Sequence, residues 1–202
     1  EKVYARDPSK ANFLRLYDCY IQTKEVNDAE KLLKKQIKNY KYDFEYPVLL
    51  GQFYEDNNDP SKAQKVYEDL VNDLPNNASV IVNIYNAFRT KGKNDFALQA
   101  LQKGEKILKN TYPLQLQFAD LYGAMGETQK MMESYMDLLD NYPSYVKYVQ
   151  NILARQIDFN AEEDKEYDYL KTVLLEKVQR QPENGTSSDM LVWLLIQKKN
   201  FN

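Results

Sequence analysis

The sequence lacks histidine altogether and has little cysteine, glycine or proline. Among 202 residues there are no histidines, one cysteine, six glycines and seven prolines. Without histidine, the commonest metal ligand and the usual general base near neutral pH are missing. Cys19 alone can form neither an internal disulfide nor a site of several thiolates. Scarce glycine and proline leave little room for the many tight turns of an all-β fold, which favours long helices.

Charge and hydropathy exclude further classes of protein. The formal net charge is −3 at pH 7, so no overall positive field draws the chain to nucleic acid or to anionic membranes. No apolar run approaches the roughly 18 to 20 residues of a membrane span. A basic run does follow one helix face, and a solvated outer face is favoured there over a nucleic-acid stripe because the total is acidic. That run is Lys31, Lys34, Lys35 and Lys38. We therefore predict no nucleic-acid partner and no membrane insertion.

The chain repeats itself at a constant interval. The column that shows this best is aromatic: Tyr20, Tyr54, Phe88 and Tyr122. A second column, nine residues further on, holds Ala29, Ala63, Ala97 and Met131. A third, four residues before the aromatic one, holds Leu16, Leu50, Ile84 and Phe118. A period of about 34 residues is typical of stacked pairs of antiparallel helices, in which each pair is stabilised by its neighbours.

Helix start and stop signals fit two helices in each unit. In the second unit Asp59 suits an N-cap and Pro60 the first helical position, so a second helix begins there. Pro75 cannot continue that helix, and Asn77 lies in a fresh N-cap region. The acidic stretch that ends at Asp164 suits another helix start. The third and fourth units turn at glycines, where a left-handed residue is easiest: Gly92 and Gly126.

These residues resemble the tetratricopeptide repeat family. Its pattern has a small residue at position 8, an aromatic residue at 11, alanine at 20, a large residue at 24 and proline at 32. The second unit matches best, with Gly51, Tyr54, Ala63, Tyr67 and Pro75. The fourth gives Ala119, Tyr122, Met131, Tyr135 and Pro143. The resemblance implies an all-α fold, an α-α superhelix of antiparallel helix pairs, whose usual role is to bind other proteins.

The resemblance divides the chain into units. We predict a single solenoid over 1–202, with pairs at 10–43, 44–77, 78–111 and 112–145, an irregular longer pair at 146–184, and a truncated first helix at 185–202. The opening EKVYARDP reads as the last turn of a preceding helix, and the chain stops at Lys199-Asn200-Phe201-Asn202, where a turn belongs. We therefore expect a piece of a longer protein. The apolar segment MLVWLLI offers an uncapped face, hence the hypothesis of end-to-end self-association.

Large and small residues alternate between units. The small position 8 is occupied by Tyr17, Gly51, Tyr85 and Ala119, and position 24 by Leu33, Tyr67, Leu101 and Tyr135. One hypothesis is that successive pairs interdigitate as a double repeat, two units long. The alternative is coincidence among four samples. Tyr17 and Tyr85 pointing into solvent would contradict the first.

Family members bind ligands in a groove lined by their first helices. The resemblance implies a polar, mildly acidic groove formed by Arg15, Asp18, Gln22, Gln52, Glu55, Asp56, Asn83, Asn86, Arg89, Gln117 and Asp120, with the apolar Leu14, Val48, Val82 and Leu116 at position 5. Members that bind Hsp70 or Hsp90 tails carry lysine at that position, so such a tail is not the expected partner. We expect an extended or helical peptide with some positive charge, bonded in part by the amides of Asn83 and Asn86.

No pattern in the sequence indicates catalysis. It contains no glycine-rich phosphate loop, nucleophile elbow or cluster of metal ligands, and Cys19 is interpreted as a packing residue. We expect no enzyme activity, cofactor or metal, and favour a protein-interaction scaffold. The alternatives are a segment of a larger enzyme or regulator and a self-association module. Composition rich in lysine, asparagine and tyrosine resembles tetratricopeptide proteins of Bacteroidetes-type bacteria, many of them envelope proteins, which favours the envelope or periplasm and leaves the cytoplasm open.

Overall fold

The protein is all-α in this computed structural model, which describes residues 1–109 and 111–198. The helices in those ranges are α1 (Lys2–Arg6), α2 (Lys10–Gln22), α3 (Val26–Asn39), α4 (Glu45–Asp56), α5 (Pro60–Asn72), α6 (Ala78–Thr90), α7 (Asn94–Leu108), α8 (Gln115–Ala124), α9 (Thr128–Asn141), α10 (Val146–Gln156), α11 (Lys165–Arg180) and α12 (Gly185–Gln197). None of them is long and apolar enough to cross a bilayer. The chain forms two compact units, Glu1–Ile107 and Leu108–Asn202. One continuous solenoid over 1–202 stays a prediction, and the turn expected at Lys199-Asn200-Phe201-Asn202 lies outside the described residues.

The period of the sequence is also a period of the backbone. The second helices of the first four pairs start at Val26, Pro60, Asn94 and Thr128, which repeats the spacing of the aromatic column. Two residues before each start the chain passes through a left-handed conformation, at Lys24 (φ 61°), Asn58 (58°), Gly92 (69°) and Gly126 (75°). The predicted glycine turns are therefore confirmed. The first two units make the same turn with residues that carry a side chain, at a cost of about 1 kcal/mol each.

The aromatic column closes these turns through its backbone. Its carbonyl oxygens accept hydrogen bonds from the N–H groups five residues later, over 2.8 to 2.9 Å. The pairs are Glu25 to Tyr20, Asp59 to Tyr54, Lys93 to Phe88 and Glu127 to Tyr122. Such bonds satisfy carbonyls that a helix end otherwise leaves unpaired. The repeated aromatic residue thus combines a packed ring with a fixed place at the helix terminus.

Three predicted helix starts are confirmed by their caps. The Asp59 carboxylate accepts the N–H of Lys62 at 3.2 Å, with Pro60 as the first helical residue. The side-chain oxygen of Asn77 accepts the N–H of Val80 at 3.2 Å. In the second compact unit, Asp164 accepts the N–H of Tyr167 at 2.8 Å. Each cap satisfies a donor that the first turn of a helix leaves free.

The alternation of large and small residues has a visible cause in the second pair. A Cβ added to Gly51 would lie 2.0 Å from Cε1 of Tyr67, so the tyrosine ring occupies the space that any other residue at position 51 would need. Tyr17 and Tyr85 are buried, at 8% and 3% exposure, and therefore do not contradict the alternation. The contact shown here is within one helix pair, whereas the hypothesis concerned successive pairs.

The second compact unit has a continuous apolar core that runs through α8, α9, α10, α11 and α12. Within α12, Met190 and Leu194 are fully buried in this core. The opposite side of the same helix is open, since Val192, Leu195 and Ile196 are 55%, 36% and 48% exposed. The apolar face expected from MLVWLLI is therefore present on one side of the helix only.

Two surface features of the first compact unit can be compared with the expectation: Cys19 differs from it, and the lysine run on α3 agrees with it. Cys19 was interpreted as a packing residue, and this is wrong: its side chain is exposed. The reason is that the short helix α1 covers only part of this side of α2 and leaves a cavity that Cys19 lines. The lysine run on α3 is solvated as favoured. Lys31 and Lys34 in that run pair with acids of their own helix, at 3.2 and 2.6 Å.

Candidate functional site

A polar pocket of about 440 Å³ in the first compact unit contains two of the predicted groove residues. It opens between the start of α2, the connection from α3 to α4, and α6. Its lining residues are Lys10, Tyr42, Asp43, Phe44, Glu45, Asn83, Asn86, Ala87 and Thr90. Charged groups form one wall and uncharged polar groups the other.

The uncharged wall is one face of α6. Asn83, Asn86 and Thr90 follow each other at steps of three and four residues, so their side chains lie on the same side of the helix. All three are exposed. Within residues 1–109 and 111–198, neither asparagine amide has a hydrogen-bond partner. Because an amide both donates and accepts, this wall can pair with the backbone of a peptide of almost any sequence.

The charged wall is largely paired within itself. Nζ of Lys10 lies 3.2 Å from Asp43 and 2.9 Å from Glu45, and lies 5.6 Å from the centre of the Tyr46 ring. Burial alone would lower the pKa of Lys10, but the hydrogen bonds that its ammonium donates to Glu45 and Asp43 outweigh burial and raise that pKa. The ammonium stays charged at neutral pH and holds both carboxylates. A ligand would therefore meet a fixed pattern of charge here.

Sequence reasoning missed this charged wall. Lys10 lies one repeat period before Phe44, which is flanked by the two acids Asp43 and Glu45. Residues at equal positions of successive repeats lie side by side in a stack of helix pairs. Opposite charges at nearly equal positions of two units were therefore a usable signal.

The predicted groove residues on α2 are divided between two places. Arg15 lines a different cavity of about 590 Å³, between α1 and α2, with Cys19 as a neighbour. Asp18 and Asp56 lie near the hydroxyl of Tyr17: burial, then the charges of Asp56 and Asp18, raise the pKa of that tyrosine to about 12. Gln22 is exposed at the end of α2.

Glu55 already has a partner. Its carboxylate forms an ion pair with the ammonium of Lys93, which also lies 5.7 Å from the centre of the Tyr67 ring. Burial and then the charge of Glu55 raise the pKa of Tyr67. A ligand that used Glu55 would have to share it with this pair. Gln52 and Arg89 are half-buried.

One apolar groove residue is misplaced by the prediction. Val48 is fully buried, and so cannot line a groove. The reason is that α4 packs against α3, α5 and α6 of the first compact unit, which leaves only part of its surface open to solvent. Leu14 is 42% exposed, and Val82 is half-buried.

The remaining predicted residues belong to the second compact unit. Gln117 is half-buried, and its Oε1 is buried with no hydrogen-bond partner in the part of the chain that the structure describes. Asp120 is exposed. Burial, followed by the charge of Asp120, raises the pKa of Tyr135. Leu116 is half-buried. A binding role for these and the other groove residues stays a prediction.

Comparison with known proteins gives resemblances at the level of whole structures. No protein-family model matches this chain, and no curated protein matches it. Similar solved structures include MamA, at 16% identity over 91% of this chain and 94% of that one, with a TM-score of 0.39. They also include TTC0263, a thermophilic TPR protein of Thermus thermophilus, at 18% identity over 93% of this chain and 100% of that one, with a TM-score of 0.37. A tetratricopeptide repeat protein from Parabacteroides merdae has 11% identity over 93% of this chain and 72% of that one, with a TM-score of 0.36.

The chain's own backbone defines its class. Second helices that start at one constant spacing, a left-handed turn within each pair and an aromatic carbonyl that closes the turn form an array of helix pairs, the all-α architecture that is typical of tetratricopeptide-type repeats. In residues 1–109 and 111–198, no group of three or more histidine, cysteine, aspartate or glutamate side chains is placed to hold a metal ion.

Proposed function

We propose that this protein is a non-catalytic scaffold that binds a peptide or protein segment in the groove of its first helices. The observation that supports this best is the α6 wall of the polar pocket, where the exposed amides of Asn83 and Asn86 have no partner among the described residues. Such groups can bond a ligand backbone without the cost of breaking an internal hydrogen bond. Asp18 and Asp56 are exposed acids near the hydroxyl of Tyr17, and their charge favours a ligand with some positive charge.

The experiment uses peptides selected by this protein from a displayed random library, with their affinities measured by fluorescence anisotropy. Replacing both Asn83 and Asn86 by alanine is expected to weaken binding about tenfold. The reason is that two hydrogen bonds are lost, each of roughly 1 kcal/mol or slightly less. The matched control replaces Asn27 and Asn151, which are exposed helical asparagines outside the pocket. Equal affinities for the wild type and the pocket variant would reject the α6 wall as the site.

A second candidate function is self-association through α12. It is favoured by Val192, Leu195 and Ile196, which form an exposed apolar stripe at steps of three and one. Under this hypothesis Leu195→Glu with Ile196→Glu makes a concentration-dependent assembly monomeric in sedimentation equilibrium. Leu175→Glu on α11 is the control, because Leu175 has a similar exposure of 41%. A wild type that is monomeric at every concentration would eliminate this function.

A further inference from the structure

A second cavity of the first compact unit has a different chemistry. It measures about 440 Å³ and opens between the end of α3, the α3–α4 connection, α5 and the start of α6. Its apolar lining includes Ile37, Phe44, Pro47, Val66, Leu70, Pro75, Val80 and Ile84. Ile84 is buried, Pro75 is exposed and the others are half-buried, so the cavity presents apolar surface to water. Tyr42 and Phe44 line both this cavity and the polar pocket, whereas Asn83 and Asn86 line only the polar one.

Two carboxylates stand at the rim of this apolar cavity. Asp69 and Asp73 are four residues apart on α5 and at its end, hence on one face, and both are exposed. Among the described lysines and arginines, none forms a salt bridge with either of them. This differs from the polar pocket, where Lys10 holds both acids. One cation, Lys41, also lines the cavity, so its three charged lining residues, Lys41, Asp69 and Asp73, together carry a net negative charge.

The two features together specify an occupant. An open apolar cavity gains free energy when a bulky aliphatic or aromatic side chain replaces its water, at roughly 25 cal/mol per Å² of apolar surface. The carboxylates add a preference for a cation next to that side chain. Arginine and lysine fit because their alkyl stems can lie along an apolar wall while the charged group reaches the rim.

We propose that this cavity is a peptide-binding site of its own, which takes a bulky apolar side chain of a partner protein flanked by arginine or lysine. Asp69 and Asp73 select the flanking cation, and the valine, leucine and phenylalanine side chains hold the anchor. The site requires neither Asn83 nor Asn86, and its existence is therefore independent of the function proposed for the polar pocket.

The test uses three fluorescein-labelled, amidated peptides and the full chain. The first is Gly-Ser-Leu-Phe-Arg-Leu-Arg-Ser-Gly, the second has glutamate in place of both arginines, and the third has serine in place of both leucines and the phenylalanine. By anisotropy the first is expected to bind at least tenfold more tightly than the second, and the third not to bind. Equal binding of the first two, or binding of the third, overturns the proposal.

Charge reversal at the rim gives a sharper result than removal of charge. With Asp69→Lys and Asp73→Lys the preference is expected to invert, so that the glutamate peptide binds more tightly than the arginine peptide. The control is Asp168→Lys with Asp189→Lys on α11 and α12, which changes the net charge equally at two exposed acids that do not line the cavity. If the control variant shifts the preference as much as the rim variant, a diffuse field explains it and the proposal fails.

The apolar wall is tested without a change of shape. Val66→Thr with Val80→Thr replaces one methyl group by a hydroxyl at each position, and is expected to weaken the arginine peptide about tenfold while the circular dichroism spectrum stays the same. Asn83→Ala with Asn86→Ala should leave this affinity unchanged. Loss of the arginine peptide in the asparagine variant alone would assign it to the polar pocket and overturn the proposal. An alkylammonium detergent, which has an apolar chain and a cation, should compete with the peptide for this cavity. If it displaces the peptide completely from the wild type, and equally well from the threonine variant, the proposal is also overturned.

Discussion

The second and fourth helix pairs each have a close contact at a glycine, but at positions one helical turn apart and with different partners. In the second pair the ring of Tyr67 on α5 occupies the place of a Cβ at Gly51 on α4. In the fourth pair Met131 on α9 lies against Gly123 on α8, where a Cβ would be 3.0 Å from the methionine sulfur. Both contacts fit the same antiparallel register, with the second moved about one helical turn towards the connection. The repeat thus fixes where two helices meet, while the chemistry that fills the contact varies.

The two contacts also differ in how far they can give way. A tyrosine ring is rigid and is held at Tyr67 by the neighbouring rings of Phe88 and Phe96, at centroid distances of 5.7 and 4.9 Å. A methionine side chain has three rotatable bonds and adapts to small changes. Gly51 is buried, whereas Gly123 is exposed. Glycine-to-alanine substitutions at these two contacts should therefore differ in sign.

The largest effect is expected for Gly51→Ala. The new Cβ meets the Tyr67 ring, and overpacking of this kind costs about 3 kcal/mol, partly offset by the better helix propensity of alanine. The measurement is urea unfolding followed by circular dichroism. Tyr67→Leu in the same chain should recover part of the loss, since leucine occupies that position in the first and third units. A Gly51→Ala variant as stable as the wild type would show that the ring moves freely.

The next effect concerns two helix caps. Asp164 accepts two backbone N–H groups, those of Tyr167 at 2.8 Å and Asp158 at 2.9 Å, whereas Asn77 accepts only that of Val80. Asp164→Ala is therefore expected to cost about 2 kcal/mol and Asn77→Ala about 1 kcal/mol in urea unfolding. Thr172→Ala serves as a control for α11, because Thr172 is exposed and caps nothing. Equal losses of stability in Asp164→Ala and Asn77→Ala would contradict the difference in hydrogen bonding between the two caps.

A smaller effect is expected when the lysine that each compact unit holds between two acids is replaced. In the second compact unit this lysine is Lys177, which contacts Asp137 at 2.8 Å and also Asp140. The side chain of Lys177 is 21% exposed, against 45% for Lys10 in the first unit. Burial alone would lower the pKa of Lys177, but the hydrogen bonds that its ammonium donates to Asp137 and Asp140 outweigh burial and raise that pKa. Lys177→Met is expected to cost about 1 kcal/mol at pH 7, and Lys10→Met less.

The sign of its pH dependence follows from that pKa. Since the folded-state pKa of Lys177 exceeds the ordinary value of 10.5, its contribution is fully present below pH 10.5 and is lost as the pH rises through the folded-state value. The stability difference between wild type and Lys177→Met should therefore shrink in strongly alkaline buffer. Tyrosines such as Tyr17, whose pKa is also raised, titrate in both proteins and cancel in the difference. A difference that grows with pH would contradict this.

The smallest effect, of opposite sign, is expected for Gly123→Ala. The methionine sulfur needs to move only a few tenths of an ångström, and alanine is the better helix former. We expect a gain of about 0.5 kcal/mol in urea unfolding, against the loss at Gly51. A clear loss at both glycines would show that the methionine contact is as rigid as the tyrosine one.

Much of the fold followed from local signals. The spacing of Tyr20, Tyr54, Phe88 and Tyr122 predicted the helix pairs, because packing and the turn both depend on that position. Caps such as Asp59 and Asp164 were readable because a cap is a bond between residues three apart. The left-handed conformation of Lys24 and Asn58 was not predicted, since neither residue is a glycine.

The candidate site followed from the sequence only in part. Asn83 and Asn86 do share a pocket, because both lie on one helix face. Val48 and Cys19 were misjudged, since their burial depends on which neighbouring helices cover them. The apolar cavity beside Asp69 and Asp73 had no local signal at all.

By itself the sequence determined the helices, their period, their caps and their turns, because these depend on residues within a few positions of one another. Only the tertiary structure decided that Lys10 joins Asp43 and Glu45, that Glu55 pairs with Lys93, and which apolar side chains remain open to solvent. Those outcomes depend on the distance and rotation between packed helices. Single side chains such as the Tyr67 ring set that geometry, and a repeat pattern does not encode it.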